Sequence, residues 1–348
     1  MQDKTKRIEW IDVCKGLAML AIFVGHSLPS NVITIFVYRY NVPLFFFLSG
    51  LFFTKRKNLT IKEYIIKSAN GILVPYAFFC SLSMVFYIVF TSRTSGLREM
   101  IMQAITGSRN NISFGQQLWF LPCLFVIQIV YHLINKLIKR KKYVVAVVAV
   151  IALVSTVIFN NPYVKAAPFS FNLATYYIIF YCIGDVAYAK LEKFSFEGLR
   201  QGSKILISLF SLFIMGSTFL IYYVYNWIDT FINGISIKII QQSIVILISL
   251  ILITANIIIS FALKNNRFLY NIGKNTIIYC GFESIAMIIA LGIPRFFGLS
   301  VGLDATLDKV IFAMLKIILI YKIAVPLYDR DLQWSIGKRV QQNKYTEN

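Results

Sequence analysis

Residues 11–27 read IDVCKGLAMLAIFVGHS, and the fold turns on how that stretch is taken. Its length and apolar content suit an α-helix crossing a hydrocarbon core roughly 30 Å thick, which takes about 20 residues. Yet it carries Asp12, Lys15 and His26. A charge at mid-bilayer costs ~3 kcal/mol or more, so ionisable side chains in a span usually face the bundle interior and mark function. At about 100° per residue, Asp12 and Lys15 lie one turn apart and can pair. Lys15 and His26 are close to three full turns apart, so Asp12, Lys15, Met19, Ile22 and His26 line one face. A rise of 1.5 Å per residue puts His26 roughly 16 Å beyond Lys15. The plainer alternative is a Lys15 that snorkels to the interface with Asp12 as its partner, beside an incidental histidine.

The rest of the chain supports the membrane reading. Of its 348 residues 58% are hydrophobic and only 14% charged, with a mean hydropathy of +0.69. A soluble domain carries nearer a quarter charged residues. The apolar content recurs in runs of about twenty residues. The expected fold is all-α: a single polytopic membrane domain over 1–348 with about ten spans. They are expected at about 11–28, 33–53, 72–92, 118–138, 143–159, 172–190, 204–225, 236–262, 274–293 and 307–328. Pro29, Pro75, Pro162, Pro294 and Pro326 are expected near helix ends, where a missing amide hydrogen costs least. The basic start, Met1–Arg7, leads into a run with Asp12 and Lys15 and no small-residue cleavage site, which reads as a retained first span. The one long connector, 93–117, is polar with room for a short amphipathic helix.

The net charge of +20 does not point to nucleic acid, because the basic residues sit in short connectors between apolar runs. There they set topology and meet anionic headgroups. With the N-terminus, the even-numbered connectors and the C-terminus on one side, that side holds 24 basic residues and the other 5. Such an alternation favours ten spans with both termini cytoplasmic, in the cell membrane. Cys14, Cys80, Cys123, Cys182 and Cys280 all fall in apolar runs without paired spacing, so neither a disulfide framework nor a metal site is indicated.

Other polar residues in the spans extend the candidate site. Arg39 and Asn41 lie in the outer half of span two, joined to span one by the short Pro29–Val32 turn, so both can approach His26. Span four opens QQLWFLP, which brings Gln117 and Trp119 to the outer mouth; Trp119 is equally explained as an interfacial belt residue. Asp185 is expected on the level of Asp12 and Lys15, at the cytoplasmic end of span six. Glu283 and Lys316, in the middles of spans nine and ten, are placed to neutralise each other as a structural pair.

RIEWIDVCKGLAMLAIFVGHS, VPLFFFLSGLFF and LWFLPCLF together resemble the membrane-bound acyltransferase 3 family, in the style of its fucose 4-O-acetylase-like members that O-acetylate bacterial surface polysaccharides. The resemblance spans essentially the whole chain. Its most specific part is an aspartate, a basic residue three later and a histidine after ten more, here Asp12, Lys15 and His26. SGLFF, LWFLP and NIGKNTIIYC support it. Two departures stand out. Many relatives have a histidine where this chain has Asn41, and another soon after the late tyrosine, where Tyr279 is followed by Cys280, Gly281 and Phe282.

The resemblance implies O-acyl transfer from cytosolic acetyl-CoA, with no metal, to a hydroxyl of a cell-surface glycan or its lipid-linked precursor, as in exopolysaccharide or capsule synthesis. On that reading Lys15, with Asp185 nearby, holds the anionic donor at the cytoplasmic mouth. His26, supported by Asp12 and Lys15, acts as general base or transient acyl carrier. Arg39 or Asn41 steadies the oxyanion. Gln117, Trp119, Tyr279 and Glu283 are the candidate substrate contacts, and a homo-oligomer is open. A transporter or flippase of a small or lipid-linked substrate is the main alternative, since a charged stripe also suits a permeation path. Against it, no repeated halves or interrupted helices are visible. A scaffold within a capsule-synthesis complex is a third reading.

Overall fold

The quoted stretch forms α1 (Glu9–Ser27), and the chain continues through α2 (Val32–Gly50), α3 (Ile61–Thr91) and a short α4 (Leu97–Thr106). A 3-10 turn, Gln116–Trp119, leads into α5 (Phe120–Leu137), followed by α6 (Lys141–Phe159), α7 (Phe171–Leu191), α8 (Gln201–Asp229) and α9 (Ile235–Ala262). α10 (Arg267–Lys274), α11 (Thr276–Phe296), α12 (Thr306–Leu319) and α13 (Val325–Arg330) complete the bundle. This computed structural model describes residues 8–28, 32–91, 96–159, 167–192, 200–229, 235–296, 298 and 306–336. No strand occurs among them. The Pro29–Val32 turn expected to join the first two spans lies largely outside the described residues, as does Pro162.

A helix lies at each of the ten expected positions. Seven are long and apolar enough to cross a membrane singly, and an eighth is the pair α10–α11, bent by 84°. That count is made on the described residues, and α7, which carries Asp185 and Lys190, is not in it. The protein is a multi-pass, all-α membrane protein. α8 shows the lipid-facing pattern: it packs on α9 and leaves Leu206, Phe210, Phe213 and Leu220 exposed.

Two helices differ from their expected form. α3 begins at Ile61, well before 72, because Thr60 and Glu63 form a reciprocal cap. Thr60 N and Oγ1 donate to Glu63 Oε2 at 2.8 and 2.9 Å, and Glu63 N donates to Thr60 Oγ1 at 3.3 Å. Pro75 therefore sits inside the helix, not near its start. Pro326 lies close to the end of the last span, in the first turn of α13. Pro326 cannot donate to the carbonyl of Lys322, and a π-turn at Ile320–Ala324 widens the helix there.

Close backbone packing organises the centre. A Cβ on Gly16 would collide with the Leu269 carbonyl, and one on Gly273 with the Asp12 carbonyl, so α1 and α10 touch backbone to backbone. Gly50 against Tyr181 and Gly184 against Phe47 join α2 to α7 in the same way. Association in lipid depends on such approach, since apolar burial gives helices little preference for each other over acyl chains. α1 thereby packs against α2, α9, α10, α11 and α12; Asp12 and Met19 are buried in the bundle, Lys15 and Ile22 are half-buried, and His26 is exposed at its end.

Candidate active site

His26 stands in the last turn of α1, followed by Ser27, whose hydroxyl donates back to the Phe23 carbonyl at 2.9 Å. Its Nδ1 lies 2.7 and 2.8 Å from the two oxygens of Glu283 on α11. Lys316 on α12 donates from Nζ to Glu283 Oε1 at 3.4 Å and is only 2% exposed. Its ammonium also lies 5.3 Å from the centre of the Phe23 ring and 5.6 Å from that of Phe312. Three helices thus supply a chain of imidazole, carboxylate and ammonium. A carboxylate facing Nδ1 selects the tautomer with the proton on that nitrogen. Nε2 is then the basic nitrogen.

His26 borders a cavity enclosing about 660 Å³ of empty space, the part open to solvent included. Its wall is mainly apolar, with Met19 and Ile22 from α1, Val42 and Phe45 from α2 and Phe120 from α5. Tyr38, Gln117, Thr276 and Cys280 add polar groups. Gln117 is fixed on α11: its Nε2 donates to the Cys280 carbonyl at 3.0 Å and its Oε1 accepts from Ser284 Oγ at 2.9 Å. That link seats the 3-10 turn, and with it Trp119, on the cavity wall.

The sequence-derived candidates divide into groups. His26, Glu283, Gln117 and Trp119 meet at the cavity. Arg39 and Asn41, expected beside His26, are not on its wall. The Arg39 carbonyl accepts from Ser249 Oγ of α9, and Asn41 is fully buried with neither amide atom partnered among the described residues. Helix periodicity explains the displacement: Tyr38, Val42 and Phe45 form the inward face of α2, and Tyr38 takes the place beside the His26 ring, at 5.6 Å between centroids. Tyr279 is also off the wall, buried edge-on to Phe23 at 6.1 Å. Tyr38 was missed because tyrosine in an apolar run gives no charge signal.

Asp12 and Lys15 pair at 3.4 Å, toward the other end of α1. Asp185 is not brought to them. It accepts from Thr54 Oγ1 and Tyr131 OH, both at 2.9 Å, and pairs with Lys141, which ties α7 to α5, α6 and the segment after α2. A second pocket, about 830 Å³ of empty space including its open part, lies at this end between Ile8, Trp10, Leu51, Lys55, Tyr188 and Glu192.

A model of the acyltransferase 3 family, described as an acyltransferase domain, matches residues 8–280. Together with the helical bundle, that match defines the class: a membrane acyltransferase. The chain belongs to the acyltransferase 3 family. The matched region holds His26 and Gln117 but ends before Glu283 and Lys316. No curated protein and no solved structure matches the chain.

Proposed function

We propose that the protein transfers an acetyl or related acyl group from an acyl-CoA donor to a hydroxyl of a cell-surface glycan or its lipid-linked precursor, with His26 as general base. The observation that carries this is the contact between His26 and Glu283 at an apolar cavity in a chain of an acyltransferase family. Glu283 orients the imidazole and steadies the positive charge it gains, the role a carboxylate plays in hydrolase triads. Nε2 takes the proton of the acceptor hydroxyl while its oxygen attacks the thioester carbonyl. The tetrahedral intermediate collapses, the C–S bond breaks, and the leaving thiolate receives that proton from the imidazolium. Tyr38 and Thr276 bring hydroxyl donors to the wall for the oxyanion, in place of Arg39 and Asn41.

The donor fits the remaining features. Met19, Ile22 and Phe45 suit an acyl chain and its pantetheine arm. Lys15 and Lys55, at the other end of α1, suit the phosphates of coenzyme A. The plasma membrane is the site this chemistry implies.

The test is transfer from radiolabelled acetyl-CoA to glycan in inverted membrane vesicles. His26→Ala should lose transfer by about a hundred-fold or more while inserting normally. Equal labelling by both proteins would remove His26 from the chemistry. Substrate counterflow without acyl transfer, with acceptor supplied, would favour transport instead.

A further inference from the structure

The connector after α4 forms a fixed platform that the mechanism above does not use. Ser108 Oγ donates to the Ala167 carbonyl at 2.7 Å. Arg109 N donates to Ser170 Oγ at 3.0 Å, and Ser170 Oγ in turn donates to the Gly107 carbonyl at 3.2 Å. Farther along, Ser113 donates from both N and Oγ to Gln103 Oε1 at 3.0 and 2.9 Å, while Ile112 and Phe114 are buried beneath. Asn110, Phe169 and Ser170, with φ of 62°, 54° and 51°, are the non-glycine residues with positive φ among those described, and all three lie at this junction. A phenylalanine in that region is strained, and such strain persists only where the surrounding contacts hold it in place.

What the platform presents is polar and positive. Arg109, Asn110 and Asn111 are exposed side by side. The Arg109 guanidinium lies 5.1 Å from the centre of the Trp119 ring, and Trp119 lines the His26 cavity. No aspartate or glutamate occurs in 107–119, and among the described residues no carboxylate lies within salt-bridge distance of Arg109. The guanidinium also meets the Tyr177 side chain, and of its five N–H donors those left over match the two oxygens of a carboxylate or phosphate.

We propose that Arg109, with Asn110 and Asn111, forms an acceptor subsite selective for an anionic acceptor, a sugar bearing a carboxylate or a phosphate. Arg109 clamps the oxyanion, the two asparagines meet neighbouring hydroxyls, and Trp119 leads the acceptor toward His26. The assignment rests on the acyl-transfer reading for its purpose, but binding can be read without donor or turnover.

The experiment measures binding by calorimetry to the full chain in nanodiscs, with a galacturonate trisaccharide, its carboxyl-reduced neutral counterpart and farnesyl diphosphate as probes. At least one anionic probe should bind about ten-fold or more tighter than the neutral one. Arg109→Gln should remove that preference and Arg109→Lys restore part of it. His26→Ala should retain it, so that a failed transfer assay and a failed subsite give different results. Preference for the trisaccharide identifies a sugar carboxylate; preference for the diphosphate identifies a lipid-linked phosphate. Equal binding of all three probes, no binding of any, or an anion preference that survives in Arg109→Gln overturns the proposal.

Discussion

At the level of single residues, the question is whether the buried charges on α11 and α12 serve packing or chemistry. Glu283 touches both His26 and Lys316, so a single substitution confounds the two roles. Breaking a buried pair by removing one partner costs about 3–5 kcal/mol, whereas an apolar replacement of both is often neutral. Glu283→Gln and Lys316→Met should therefore each lower thermal stability, and Glu283→Gln should also cut transfer by about a hundred-fold or more. The double variant Glu283→Leu, Lys316→Met, apolar at both positions, should recover the melting temperature without recovering activity. If activity returned with stability, Glu283 would be a packing residue only. This distinction was only half legible in the sequence. The Glu283–Lys316 pair follows from buried charges at matching depth, but nothing in spacing ties Glu283 to His26, since the two are brought together by folding alone. Tyr38 carried no signal either, and Arg39 drew attention by its charge while its neighbour faced the cavity.

At the level of elements, boundaries were less legible than faces. The stripe of Asp12, Lys15, Met19, Ile22 and His26 was readable because helix geometry is fixed by the period alone, and Met19, Ile22 and His26 do line one cavity. The early start of α3 was encoded in Thr60–Glu63, a capping box placed before an apolar run that seemed to begin later. The 84° bend before α11 falls in the polar stretch Asn271–Asn275, which has no proline to signal it; Asn275 terminates α10 there through its backbone N–H, which donates to the Asn271 and Ile272 carbonyls. The short α10 is held by contact with α1 at Gly16 and Gly273. Gly16→Leu or Gly273→Val must push the two backbones apart, at a cost of about 1–3 kcal/mol or more. Both should lower the melting temperature by several degrees and weaken transfer, because α1 carries His26. Gly71→Ala is the control: nothing surrounds that position within 4 Å, so stability should hold or rise slightly. Equal behaviour of all three variants in a thermal-shift assay would refute the backbone-contact account.

At the level of the whole molecule, α1 joins two openings. The His26 cavity, with Arg109 on its Trp119 wall, lies at one end, and the pocket with Lys55 and Glu192 at the other. The charge asymmetry of the connectors favours a cytoplasmic second end, the side from which the proposed acyl-CoA donor would enter. On the proposed function, donor and acceptor would arrive from opposite faces and meet at the His26 cavity. In proteoliposomes of defined orientation, transfer to a water-soluble acceptor on the Arg109 side should require acetyl-CoA on the Lys55 side and show little activity when both substrates are on one side. Charge reversal should separate the two ends kinetically. Lys55→Glu should raise KM for acetyl-CoA about ten-fold with little change in KM for the acceptor, since a phosphate contact is replaced by repulsion. Arg109→Gln should do the reverse. Transfer that proceeds equally with both substrates on one face, or a Lys55→Glu variant that alters acceptor KM instead, would show that the two openings are not ends of one path, and donor and acceptor would have to share the His26 cavity from a single side.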